Sequence, residues 1–185
     1  MDIIGQLYWK IVGYLNSPEF LQAFFDNRFY LILLVVFLTR LKSATYSSMW
    51  MSALVNIPGT LLHEAMHFVV GGFLNARPCN FTILPRKNIN GDYVMGSVGF
   101  QNIAFYNAVP AALAPLLLLP IGFYLNRYFL PLMQPTFVNY VLYVLLQTII
   151  VENAIPSRTD FSVASKFFSG IILYSILFVA ILLMF

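Results

Sequence analysis

The residues best equipped for chemistry in this chain are two histidines four apart with a glutamate between them: Thr60-Leu61-Leu62-His63-Glu64-Ala65-Met66-His67-Phe68. They are its only two histidines. On a helix this spacing puts both imidazoles on one face, one turn apart, where they can share a zinc ion. Glu64 then stands where a general base is needed to take a proton from an attacking water. The bland alternative is a pair of buried histidines satisfied by neighbouring hydrogen bonds. The apolar surroundings weigh against it, because ionisable groups are costly there and are read first as functional.

Those surroundings are extreme. Of 185 residues, 60% are hydrophobic, 17% aromatic and only 9% charged, with a mean hydropathy of +0.80. A soluble domain carries about a quarter charged residues. The composition therefore predicts an integral, multi-pass membrane protein forming a single membrane domain over 1–185. A net charge of +3 with no basic cluster argues against a nucleic-acid partner. Cys79 is the one cysteine, which excludes an intrachain disulfide and a thiolate metal cluster. The N-terminus has neither a charged leader nor a small-residue cleavage site, so no removable signal peptide is expected.

The elements that must position the histidines follow from periodicity. Ile3, Ile4, Leu7, Ile11 and Leu15 recur at helical spacing, which predicts an amphipathic helix over 1–17 lying on a membrane surface. A first span is expected around the apolar run 29–38, with limits set by neighbouring residues. Pro58 is expected to kink or break the next apolar stretch, leaving a helix from 58 to about 75 that carries the histidines. Asn90-Gly91, flanked by Ile89 and Tyr93-Val94, predicts a β-hairpin within 77–101. Its exposed edge, Val94 and Gly96 included, is a candidate substrate-binding surface by strand addition. Further spans are expected at 103–126, at 136–155 and, as a C-terminal transmembrane helix, at 162–185. The fold class is thus all-α and polytopic, with about five transmembrane helices around a three-helix core. With that count, Lys10, Arg28, Arg77, Arg86, Lys87, Arg158 and Lys166 share one side, which places the N-terminus in the cytoplasm.

Catalytic zinc takes three protein ligands, so one is missing. Besides Glu64, the acidic residues are Asp2, Glu19, Asp26, Asp92, Glu152 and Asp160. Glu152 and Asp160 lie at the end of an apolar helix and bracket Pro156, which can unwind it and turn a carboxylate inward. Either could serve; a plain helix end, with Asn153 and Asp160 as cap or turn residues, is the alternative.

His63-Glu64-x-x-His67 together with Asn153-x-x-Pro156-x-x-x-Asp160 resembles the site-2 protease family of intramembrane zinc metalloproteases. The resemblance covers residues 55–162, as a protease core, with core spans at 58–76, 103–126 and 136–160. Ala114-Pro115 is similar to the small-residue and proline stretch of the family's middle span. The resemblance implies one Zn(2+) per chain held by His63, His67 and Asp160. It implies Glu64 as catalytic base, and Asn153 as a catalytic residue that also binds the substrate backbone. It further implies hydrolysis of membrane-spanning or membrane-tethered proteins at a bacterial or archaeal plasma membrane, with room for a regulatory membrane partner. The chain departs from the family at Phe161, where glycine is usual, and no PDZ or CBS domain is visible. Two alternatives stay open. One is a prenyl-protein-type membrane zincin with Glu152 as third ligand. The other is a non-catalytic membrane protein with a structural metal site.

Overall fold

The computed structural model describes residues 3–26, 28–87 and 93–184. Four helices come first: α1 (Ile3–Leu15), α2 (Pro18–Asp26), α3 (Arg28–Ala44) and the long α4 (Met49–Phe73). Short strands follow, β1 (Pro78–Thr82), β2 (Arg86–Lys87), β3 (Tyr93–Val94) and β4 (Ser97–Phe100). The rest is helical: α5 (Ala108–Ala112), a 3-10 turn Ala114–Leu117, α6 (Leu118–Tyr124), α7 (Phe137–Asn153), α8 (Arg158–Ser165) and α9 (Phe168–Met184).

Helix α4 is the axis of the molecule, packing on β1, β4, α5 and α7. Ser48 starts it, its hydroxyl accepting from the Met51 N–H. Asn75 ends it in the left-handed region, φ 56°. There the Ala76 N–H reaches Gly71 O at 2.8 Å and the Asn75 N–H reaches Gly72 O at 3.2 Å, which satisfies two carbonyls the helix would otherwise leave open. Pro58 was expected to interrupt this stretch. It lies instead inside one continuous 25-residue helix, so the histidine helix begins nine residues earlier, at Met49.

The strands form two antiparallel pairs. Strand β1 runs against β4, with Pro78 opposite Phe100 and Cys79 opposite Gly99, and β2 runs against β3, with Arg86 opposite Val94. Extended pairing within 77–101 is what the Asn-Gly signal led one to expect, although that turn lies outside the described residues. Gly71 lets β4 lie close on α4, since a Cβ there would run into the Phe100 ring.

Small residues make the packing tight. Ala108, Ala111, Ala112, Ala114 and Ala154 are buried, and Leu118, Ile150 and Ala154 form a core cluster against Leu62 and Met66 of α4. Fully buried Asn107 ties α4 to α5: its amide donates to Leu74 O and Asn102 O, and its oxygen accepts from the Ala104 N–H. Its buried polar atoms are thus paired, as burial requires.

The expected fold class, about five transmembrane helices, does not hold. Among the described residues no single helix is long and apolar enough to cross a membrane. The physical reason is segmentation. The expected span 103–126 contains Pro110, Pro115 and Pro120 and is divided into α5, the 3-10 turn and α6. The expected span 162–185 is divided between α8 and α9. Helix α3 has 17 residues with Arg40 and Lys42 among its last five, and polar residues interrupt the apolar run of α4. Helices α7 and α8 pass a test of length and hydropathy only together, bent by 41°. The cytoplasmic placement of the N-terminus was counted on five spans and loses that basis.

Candidate metal centre

Thr60, His63, Glu64 and His67 recur along α4 at intervals of three and four, so one stripe of the helix carries all of them. Across from it, the corner between α7 and α8 delivers Asp160. Asp160 Oδ2 lies 3.4 Å from His63 Nε2, and Oδ1 lies 3.3 Å from His67 Nε2. The two Nε2 atoms are 3.2 Å apart. One ligand atom from each of the three residues lies within 4.8 Å of the others, so the group could hold a metal ion.

Backbone carbonyls fix the imidazole tautomers. His63 Nδ1 is 2.8 Å from Asn153 O, and His67 Nδ1 is 2.7 Å from Ala111 O. A carbonyl only accepts, so each Nδ1 carries the proton and donates, which turns each Nε2 toward Asp160 as the nitrogen open to a metal ion or to a second proton. The Nε2 to Nε2 contact is therefore no hydrogen bond between neutral rings. Two ring nitrogens and a carboxylate point at one spot, and positive charge placed there, as a cation or as a proton shared with Asp160, satisfies them. A carbonyl behind each ring is also the usual way in which a metal-binding histidine is oriented. The donor set of two nitrogens and one oxygen suits zinc with a position left open.

A cavity of about 460 Å³ opens onto this group. Glu64 lines it and is only 7% exposed. Among the described residues none gives Glu64 a hydrogen bond, so its carboxylate is free to take a proton from something in the cavity. Val94 and Gly96 also line the cavity. Gly96 is pressed onto α4: a Cβ there would come within 2.9 Å of the Glu64 Cγ and Oε1 atoms.

The remaining expected residues are placed differently. The Asn153 side chain donates to Ile149 O on its own helix at 2.8 Å and packs on Gly59, where a Cβ would collide with its amide. Its main-chain oxygen, not its amide, touches the metal group. Glu152, the alternative ligand, forms an ion pair with Lys42 of α3. Sequence reasoning passed over Ala111, which presents only backbone, and Ser157, which caps α8 and binds Asp160. The signal for Ser157 was present as a Ser three residues before an acidic residue.

No protein-family model, curated protein or solved structure matches this chain. What it does must be argued from its own residues.

Proposed function

We propose that this chain is a zinc metalloendopeptidase, resembling the site-2 proteases, that hydrolyses peptide bonds of membrane-spanning or membrane-tethered proteins. One observation carries the reading. Two imidazole nitrogens and a carboxylate converge beside a buried glutamate on a cavity of about 460 Å³. Zinc bound here supplies a Lewis acid and a water acidified toward neutral pH.

The side chains divide the work. His63, His67 and Asp160 hold the ion, and the carbonyls of Asn153 and Ala111 keep the rings turned toward it. Glu64 accepts the proton of the attacking water at its carboxylate and returns it to the leaving nitrogen. The 93–98 stretch, which walls the cavity, holds the peptide extended by main-chain hydrogen bonds. A helical substrate must unwind first, because its carbonyls are otherwise engaged. Pairing of Glu152 with Lys42 favours Asp160 over Glu152 as third ligand.

The membrane setting is supported by surface chemistry. Large apolar side chains are exposed along most of the chain, among them Ile4 at 78%, Phe73 at 87% and Leu132 at 82%. Apolar surface on that scale needs a cover, and lipid is the cover we propose. Purification in detergent, metal analysis and incubation with a panel of single-span substrates test the reading. Wild type should cleave and Glu64→Gln should not, both with zinc bound. Equal cleavage by the two would overturn it.

A further inference from the structure

The metal group owes its geometry to places where the backbone fails to complete a helix. Ala111 O, which orients His67, would normally accept from the N–H four residues on. That residue is Pro115, which has no N–H to give. The freed carbonyl accepts a hydrogen bond from His67 Nδ1–H at 2.7 Å instead. Asn153 O, which orients His63 at the end of α7, is left open by a different route. Pro156, three residues on, offers no N–H, and the Ser157 N–H that comes next is turned away to Asp160 Oδ2 at 2.6 Å. Ser157 completes a reciprocal cap, its hydroxyl accepting from the Asp160 N–H at 3.2 Å. The carboxylate of Asp160 is thereby pinned through Oδ2 and cannot swing off the imidazoles.

We propose that Pro115, Pro156 and Ser157 are the positioning residues of the metal centre, each aiming one of the three ligands through a helix end. This rests on the metal reading given above. It also explains why prolines crowd the segment before α6, since each removes a donor and releases a carbonyl to a side chain from another helix. Pro110 provides an internal comparison. Its missing N–H leaves Tyr106 O open, and the Tyr174 hydroxyl of α9 donates to that oxygen at 2.5 Å. The chemistry is the same, but the donor is a tyrosine that does not line the cavity of the metal group.

The experiment measures zinc affinity of the full chain in detergent micelles, by competition with a chromophoric chelator. It also records the visible spectrum with Co(2+), which reports ligand geometry, and the melting midpoint of the metal-free protein. Pro115→Ala restores an N–H that competes for Ala111 O, and zinc affinity should fall about ten- to a hundredfold with a changed cobalt spectrum. Ser157→Pro removes the N–H that holds Asp160 Oδ2, at a φ of −70° that proline adopts, and should lose affinity on the same scale. Ser157→Gly loses only the hydroxyl and keeps the N–H, and should stay within about threefold of wild type. Pro110→Ala should lower the midpoint and leave affinity unchanged. The inference is overturned if Pro115→Ala and Ser157→Pro bind zinc as wild type does, or if Pro110→Ala weakens binding as much as Pro115→Ala. Should Pro115→Ala fail to fold, the Ser157 variants decide alone. If wild type binds neither metal, the metal reading falls, and this inference with it; if only the variants behave like wild type, the metal reading stands.

Discussion

Gly96→Ala is the substitution whose effect can be worked out most closely. The added Cβ would sit 2.5 Å from Thr60 Cγ2 and 2.9 Å from Glu64 Cγ and Oε1. Ordinary carbon contacts lie at about 3.5–4.0 Å, so the connection between β3 and β4 or the glutamate must retreat by roughly 1 Å. Overpacking of this kind costs about 1–3 kcal/mol of stability. A misplacement of that size near the chemistry costs about a hundredfold in rate. The metal ligands His63, His67 and Asp160 are not among the atoms displaced. Gly96→Ala should therefore lower kcat/KM on a single-span substrate about a hundredfold while zinc content stays at the wild-type level. The assay is cleavage followed by gel, with metal analysis on the same sample. Undiminished cleavage would refute the claim that the connection between β3 and β4 sits against the general base, and loss of zinc would refute the claim that it acts on Glu64 alone.

Other substitutions probe other parts. Glu64→Gln preserves shape and removes the base, so turnover should drop about 10²- to 10⁴-fold with zinc retained, as read by single-turnover cleavage and metal content. Gly59→Ala drives a Cβ into the Asn153 amide where α4 meets α7; the melting midpoint should fall by the equivalent of about 1–3 kcal/mol, and zinc affinity should weaken as the Asn153 carbonyl shifts from His63. Lys42→Met leaves Glu152 without its partner, and because both ends are partly exposed the loss should be about 1 kcal/mol or less in denaturant unfolding. The exchanged pair Lys42→Glu with Glu152→Lys should recover most of it.

Some of this molecule could be read in its residues, and the division has physical causes. The His63-Glu64-His67 stripe was legible because helix periodicity alone puts those side chains together. Asp160 was legible as one of two carboxylates beside a helix-stopping proline, and the resemblance preferred it; in the structure it lies beside both imidazoles while Glu152 pairs with Lys42 of α3. Strand pairing in 77–101 followed from local turn chemistry. The number of membrane spans did not follow, because hydropathy counts apolar residues and does not see where caps and prolines cut a helix. Segment 103–126 reads as one apolar run, yet Pro115 and the Ala114–Leu117 turn divide it. Pro58 misled in the opposite direction, since tertiary packing holds α4 continuous through it. Nor could sequence show that Ala111 and Asn153 act through their carbonyls, a role that leaves no mark on side-chain identity. The contact between Gly96 and Glu64 joins residues 32 apart, beyond the reach of any local pattern.

Zinc stoichiometry of wild type against Asp160→Ala, measured on detergent-purified protein by elemental analysis and chelator competition, goes most directly to the central claim. The three-ligand centre predicts one zinc per wild-type chain and a marked loss of affinity in Asp160→Ala. An Asp160→Ala protein that holds zinc as tightly as wild type would contradict it.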